Sequence, residues 1–273
     1  MRIVLFLAVA FWFLTSGPIW AQTAIKVGTT AGADVEILAK VKEVAAKEGL
    51  NVEIVEFNDY QKVNEALLAK ELDLNSFQHQ PFLDEFNQAN GQRLVSLGST
   101  YVAPLAFFSR KIKNLNELKT GDMVAIPKDP TNRGRALALL AKAGVIKIKE
   151  DVGLTATTED VTDNPKRLQI LEVEAAQTAT ALDEVATAAI NNTFSIAQGL
   201  NVLRDSIYLE SIDSPYINVI VARVEDRNNP LYNKFVKAYQ SQEVADFIYS
   251  NFEYSTIPAF PHQKKTLNAG ASK

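Results

Sequence analysis

Residues 25–57 read IKVGTTAGADVEILAKVKEVAAKEGLNVEIVEF and contain the pattern of a strand, a helix and a second strand in immediate succession. Residues 25–29 and 51–57 alternate between apolar and polar side chains, which is typical of strands. Between them, residues 34–48 place apolar side chains three and four positions apart, which predicts an amphipathic helix ending at Gly49. A β-α-β order predicts parallel strands with the helix packed on one face of the sheet.

The same alternation continues along the chain and restarts after the polar residues 111–121. Further strands are predicted at residues 72–77, 93–97, 105–109, 123–126, 169–173, 186–190 and 217–222, and further helices at 60–70, 81–88, 133–143, 178–184, 191–199, 230–239 and 243–250. We therefore predict an α/β fold of two lobes, each with a mainly parallel sheet, helices on both faces, and a ligand cleft between the lobes.

The predicted domain boundaries follow from this restart and from the helices that close the sequence. Residues 22–110 would begin the first lobe, residues 111–221 would form the second, and residues 222–260 would return to the first. Residues 261–273 are polar and are predicted to be a flexible tail.

The first 21 residues have the pattern of an export signal rather than of a folded element. Arg2 precedes twelve uninterrupted apolar residues, 3–14, and a Ser-Gly-Pro break precedes Ala21. This layout predicts a signal peptide cleaved after Ala21, because the apolar run is short for a membrane span. The alternative is an uncleaved N-terminal anchor. The predicted location is the periplasm.

Composition excludes several functional classes. The 273 residues contain no cysteine and two histidines, so disulfides, thiolate metal sites and a cysteine nucleophile are excluded. We predict no metal and no cofactor. The net charge of −4 with mixed signs disfavours nucleic acid as a partner. The hydrophobic content of 47% argues against general disorder.

Candidate binding residues lie where predicted strands end, because ligands of open α/β sheets bind there. Phe77, His79 and Phe82 follow one strand and Tyr60 follows another, and together they could form an aromatic wall suited to a thioether or alkyl group. The alternatives are that the phenylalanines are core residues, that His79 satisfies a helix N-terminus, and that the segment before Tyr60 is only a helix cap.

Polar candidates follow the strands of the second half. Arg135 lies near the start of a predicted helix, where a guanidinium could bind a carboxylate, although it or Arg133 could be a solvated surface residue. Asn191 follows an apolar strand, and Asn218 lies within another. A carboxamide can both donate to and accept from an amino acid, but Asn218 could instead be exposed on an edge strand.

No catalytic constellation emerges from the sequence. The hydrolase, metalloprotease and phosphate-loop motifs are absent, and His79 with Asp84 would be an acid–base pair without a placed nucleophile. A hydrolase using His79 and a surface interaction protein are the two alternatives to a ligand-binding protein.

Several motifs in order resemble the NlpA-type lipoprotein family, the methionine-binding proteins of bacterial ABC importers. They are residues 55–60 (VEFNDY), 77–81 (FQHQP), 129–135 (DPTNRGR), 160–165 (DVTDNP), 214–218 (SPYIN) and 238–241 (AYQS). The resemblance implies a type II periplasmic binding protein, a monomer that closes on methionine and delivers it to a membrane permease and its ATPase. It implies that Arg135 holds the ligand carboxylate, that Asn191 and Asn218 bind the amino-acid head, and that the aromatic wall encloses the thioether.

Three departures from the family pattern bear on location and ligand. The family's lipid-bearing cysteine is absent, so a freely soluble protein or one held by an uncleaved signal is expected. The first loop, residues 29–35, lacks the family's Gly-Pro and His. Ala103 and Phe82 stand where tyrosine is frequent, which leaves D-methionine, methionine sulfoxide and a short methionine peptide open as ligands.

Overall fold

The computed structural model describes residues 24–263. The predicted export signal and most of the predicted tail lie outside the described residues. No helix within residues 24–263 combines the length and apolar character needed to cross a membrane.

The first lobe begins with the β-α-β unit that the sequence predicts. Its strands and helices alternate as β1 (Ala24–Thr30), α1 (Ala33–Lys47), β2 (Asn51–Phe57), α2 (Tyr60–Leu68), β3 (Leu74–His79), α3 (Gln80–Asn90) and β4 (Leu94–Val102). Helix α1 buries Ile37, Leu38 and Val41 against the sheet. Gly49 follows its end at φ 74°, a left-handed conformation that glycine adopts without steric cost.

The second lobe contains β5 (Ala106–Phe108), β6 (Met123–Pro127), α4 (Pro130–Lys142), β7 (Lys147–Ile148), β8 (Val161–Asp163), β9 (Gln169–Val173), β10 (Thr187–Ile190), α5 (Asn192–Ala197) and β11 (Ser206–Leu209). Residues 180–183 form a 3₁₀ turn where the sequence predicted an α-helix over 178–184. The chain then returns to the first lobe as β12 (Ile217–Arg223), α6 (Pro230–Tyr239), α7 (Gln242–Asn251) and β13 (Ile257–Pro258).

Both main sheets share one topological plan. The first has the order β13-β4-β12-β3-β1-β2, and the second has the order β11-β5-β10-β6-β9. In each sheet one strand lies between two parallel neighbours: β1 between β2 and β3, and β6 between β9 and β10. The strand that follows the crossing from the other lobe is inserted antiparallel beside them, as β12 in the first sheet and β5 in the second.

The α/β, two-lobed class is confirmed, whereas two details of the prediction are wrong. The sheets are mixed rather than mainly parallel, because each contains an inserted antiparallel strand. The crossings lie at residues 103–105 and 210–216, not at 110 and 221. Ala106–Phe108 is part of the second sheet and Ile217–Arg223 is part of the first. Periodicity identifies a strand but does not say which sheet it joins.

Helices cover both faces of the first sheet. Residues of α1, α6 and α7, including Val41, Phe235 and Val244, form one buried cluster. Residues of α2 and α3, including Leu67 and Phe82, form another cluster on the opposite face.

We expect Arg223, at the end of β12, to be important for stability. Its guanidinium is buried and donates to the carbonyls of Leu67 (2.8 Å) and Leu72 (2.6 Å) and to Asp226 (2.6 Å). Arg223→Met should lower the free energy of unfolding by roughly 2–4 kcal/mol, because it removes the hydrogen bonds of a buried charged donor to two backbone carbonyls and to Asp226. Chemical denaturation measures this change. Arg227→Met, on an exposed neighbour, is the matched control, and an equal effect of both variants would contradict the assignment.

Candidate ligand-binding site

A small cavity lies between the lobes, at the carboxyl ends of the strands. The first lobe and its crossings supply Tyr60, Phe77, Gln78, His79, Phe82, Ala103 and Asn218, and the second lobe supplies Asn132, Arg135, Asn191, Asn192 and Thr193. All seven residues proposed from the sequence therefore line one cavity.

Aromatic side chains form one wall of the cavity. The ring centroid of Tyr60 lies 5.6 Å from that of Phe77 and 5.8 Å from that of Phe82, and the Phe77 and Phe82 centroids are 5.9 Å apart. Phe77 and Phe82 are also part of the buried cluster under α2 and α3. The two sequence interpretations, core and cavity wall, are therefore both correct for these residues. From the second lobe, Phe194 packs against Tyr60 with the centroids 5.2 Å apart.

His79 has both ring nitrogens engaged in hydrogen bonds. The backbone N–H of Phe82 donates to Nδ1 (3.1 Å), so Nε2 carries the proton and donates to Oδ1 of Asn132 (3.1 Å). Burial and the nearby Arg135 charge lower the pKa of His79 to about 3. The imidazole is therefore neutral at physiological pH and has no free lone pair to act as a base. Asp84, its candidate partner, instead accepts from Gln80 (2.7 Å).

Asn132 connects the two lobes at the cavity, although it was not among the candidate binding residues predicted from the sequence. Its Oδ1 accepts from His79 in the first lobe and from Nδ2 of Asn191 (2.9 Å) in the second. The helix cap is Asp129, which accepts from the backbone N–H of Asn132 (3.0 Å) and from its Nδ2 (3.0 Å). The position of Asn132 in the first helical turn after β6 could have identified it as a site residue, since residues at such positions face the cleft.

Asn191 presents an unused acceptor to the cavity. Its Nδ2 donates to Asn132, whereas its buried Oδ1 has no hydrogen-bond partner among the described residues. A buried carbonyl without a donor is unfavourable, so this atom fits a ligand that carries N–H groups.

Arg135 is nearly fully buried and belongs to the second turn of α4, because that helix begins at Pro130 rather than at Arg133 as predicted. Its Nε and Nη2 donate to the two carboxylate oxygens of Glu210 (2.9 and 2.5 Å), and Nη2 also donates to the carbonyl of Ala103 (3.0 Å). The guanidinium carbon lies 4.1 Å from the ring centroid of Tyr216. The alternative of a solvated Arg135 is therefore wrong.

Asn218 is 8% exposed and lies on β12, between β3 and β4. The edge-strand alternative is therefore wrong. Its backbone register places it opposite His79, which explains why both side chains reach the same cavity. Glu210 and Tyr216, on the second crossing, were missed as site residues. Glu210 could have been inferred from the sequence, because a buried arginine needs a carboxylate as its counter-ion.

The altered first loop contains a buried carboxylate that holds the lobes together. Asp34 accepts hydrogen bonds from Thr30 (2.8 Å) and from the hydroxyl of Tyr101 in its own lobe, and from Thr193 (3.1 Å) in the other lobe. Burial raises the pKa of the Asp34 carboxyl to about 7, and the hydrogen bonds from these three residues oppose this rise.

Two further contacts join the lobes beside Asp34. Nδ2 of Asn192 donates to the carbonyl of Ser255 (3.1 Å) and to the hydroxyl of Thr256 (2.8 Å). Gly32, at φ 78°, packs directly against the carbonyl of Thr193, where a Cβ atom would clash. The structure is therefore a closed arrangement of the two lobes.

Among residues 24–263, no group of three or more His, Asp or Glu side chains is placed to hold a metal ion. The two-lobed α/β fold, the inserted strands and the polar cavity at the strand ends define a periplasmic-type solute-binding protein.

A sequence model of the NlpA lipoprotein family matches residues 25–260, and the chain belongs to this family. It is 49% identical over 224 residues to the D-methionine-binding lipoprotein MetQ of Salmonella typhimurium, covering 81% of this chain and 82% of that protein. The corresponding protein of Escherichia coli K12 is 48% identical over 223 residues, with the same coverage.

Solved structures give the same result. A nutrient-binding protein from Burkholderia cenocepacia bound to methionine has a TM-score of 0.84 and 47% identity, covering 86% of this chain and all of that one. The crystal structure of the methionine-binding protein MetQ has a TM-score of 0.85 and 44% identity, covering 87% of this chain and 98% of that one.

Asp34 predicts a pH dependence of stability. Its pKa is raised to about 7 in the folded protein, so folding retains a proton that the unfolded chain loses near its ordinary pKa of about 4. The stabilising contribution is complete below that ordinary value and is lost as the pH rises to about 7. Asp34→Asn keeps the shape of the side chain and should remove this contribution.

Thermal melting of both proteins between about pH 5 and pH 8 measures the effect. The melting temperature of Asp34→Asn should rise relative to that of the unaltered protein as the pH increases. His79, whose lowered pKa has the opposite effect, is common to both and cancels in the difference. A difference that does not vary with pH would contradict the role of Asp34.

Proposed function

We propose that the protein is the solute-binding component of an ABC importer and captures methionine, or a close derivative, between its lobes. The observation that carries the proposal is a cavity with an aromatic wall on one side and, on the other, a free guanidinium nitrogen and a free amide oxygen. The nitrogen is Nη1 of Arg135, since that side chain donates to described residues through Nε and Nη2. The oxygen is Oδ1 of Asn191, which has no partner among the described residues, and both residues line the cavity. A small zwitterion with an apolar side chain fits this combination.

The polar atoms match the head of an amino acid. Nη1 of Arg135 donates and suits a carboxylate, whereas Oδ1 of Asn191 accepts and suits an ammonium group. Asn218 adds a second carboxamide to the cavity lining. This pairing favours an amino acid over a simple anion or a neutral sugar.

The aromatic wall suits the side chain of methionine. Tyr60, Phe77, Phe82 and the neutral His79 surround one part of the cavity, and sulfur–aromatic contacts are favourable. The cavity is small and is lined by side chains from both lobes. Free methionine or its oxidised form therefore fits better than a long peptide.

The named relatives support the same ligand class. The MetQ proteins are named as D-methionine-binding, and the Burkholderia structure is described as bound to methionine. We extend these properties to this chain because the identity is 47–49% and the polar cavity atoms have the required chemistry.

Location and partners follow from the family and the sequence. We propose that the chain is exported to the periplasm, loses residues 1–21, acts as a monomer and delivers its ligand to a membrane permease and its ATPase. The relatives are named as lipoproteins, whereas this chain has no cysteine to carry a thioether-linked lipid. We further propose that it has no catalytic activity, because His79 lacks a free lone pair.

Ligand capture predicts a direct titration result. Isothermal titration of the ligand-free protein should show saturable binding of L-methionine, D-methionine or methionine sulfoxide. Denaturing and refolding the protein first removes any ligand carried through purification. If none of the three binds at millimolar concentration, methionine capture is wrong.

The role of Arg135 predicts the effect of a double variant. Arg135→Gln with Glu210→Gln removes the free Nη1 donor without leaving an unpaired buried charge. Affinity for the methionine ligand should fall about 10- to 100-fold, since a hydrogen bond to a charged group contributes roughly 1.5–3 kcal/mol.

Arg133→Gln is the matched control for this experiment. Arg133 is on the same helix but donates to the carbonyl of Ala156 (3.2 Å) and to Glu172 (3.4 Å), away from the cavity. This control should bind normally. Unchanged affinity in the double variant would remove Arg135 from the binding site.

A further inference from the structure

The carboxylate end of the proposed site is built as a neutral ion pair. The side chains of Arg135 and Glu210 are only 3% and 12% exposed, so solvent screens their interaction little. Both oxygens of Glu210 are engaged: Oε1 accepts from Nε of Arg135, and Oε2 accepts from Nη2 and from the backbone N–H of Leu105 (3.1 Å). Glu210 is therefore held in place by three donors and by both crossings.

This arrangement limits how Arg135 can bind a ligand. A guanidinium has five N–H groups, and here the one on Nε and the two on Nη2 already donate to Glu210 and Ala103. Tyr216 covers one face of the group. Only Nη1 is left, so the usual two-nitrogen grip on a carboxylate is not available.

The rest of the cavity supplies no further positive charge. Among its lining residues Arg135 is the single permanently charged cation, and His79 is neutral because burial and Arg135 lower its pKa to about 3. A negatively charged ligand group therefore meets one donor nitrogen, Nη1 with its two N–H groups, from a pair whose net charge is zero. The charge of the ligand group therefore contributes less to affinity than it would beside an unpaired arginine.

We propose that Glu210 is a specificity-determining residue that lowers the requirement of the site for a free carboxylate, so that the cavity also takes methionine derivatives with a neutral carbonyl, such as the primary amide. The inference rests on the proposed capture of methionine. The amide carbonyl accepts from Nη1 of Arg135, and the ammonium group stays with Oδ1 of Asn191. This conclusion follows from the pairing of Arg135 with Glu210.

The first test needs no variant. Isothermal titration of the unaltered protein compares L-methionine with L-methioninamide at about pH 6, where the amino group of both ligands is protonated. The dissociation constant of the amide should exceed that of L-methionine by less than about 20-fold. Exchanging a charged acceptor for a neutral one costs about tenfold in affinity. A larger ratio overturns the inference while leaving methionine capture intact. If L-methionine itself does not bind, the proposed function fails and this inference fails with it.

The second test changes Glu210 itself. In Glu210→Gln the Arg135 charge is uncompensated, so the preference for methionine over its amide should increase about fivefold or more. A merely structural role for Glu210 would weaken both ligands in parallel, and a constant or falling ratio therefore overturns the inference. Glu172→Gln, which changes the carboxylate paired with Arg133 outside the cavity, should leave the ratio unchanged. Should Glu210→Gln fail to fold, the ratio of the unaltered protein decides.

Discussion

The exchange of one strand between the lobes is the constraint on which the rest of the structure depends. β12 leaves the second lobe and is hydrogen-bonded on both sides within the first sheet, and β5 does the same in the opposite direction. Because buried strands must satisfy their backbone groups, neither crossing can shift without breaking a ladder. The two crossings therefore fix Ala103, Glu210 and Tyr216 around Arg135, and β12 fixes Asn218 opposite His79.

Polar contacts join the two lobes beside the apolar packing of Tyr60 against Phe194. Asn132, Asp34 and Asn192 each join groups from both lobes. Buried polar contacts of this kind contribute modestly when complete and are costly when broken, so they favour a small set of discrete arrangements over a continuum. Contacts from a ligand to both lobes would lower the free energy of the closed form and shift the population toward it.

Much of this fold was predictable because local patterns decide it. The alternation in residues 51–57 and the apolar spacing of α1 specify their elements without knowledge of the rest of the chain. The position of Tyr60 and Asn191 at the cavity was predictable for a similar reason, because both follow the ends of strands. Sheet membership was not, since β5 and β12 are apolar strands that would suit either sheet. Asn132, Glu210 and Asp34 were missed because their roles depend on partners tens of residues away, and Asn132 also reads as an ordinary cap residue.

Gly32 sets how closely the first loop approaches the second lobe. The loop touches the second lobe through a backbone with no side chain, and the carbonyl of Thr193 occupies the space that a Cβ atom would need. A single methyl group at this position would act as a wedge at the lobe boundary, outside the set of residues that line the cavity. Gly32 does not itself line the cavity, but its contact residue Thr193 does, so a change in the angle between the lobes at this point is transmitted to the cavity through Thr193.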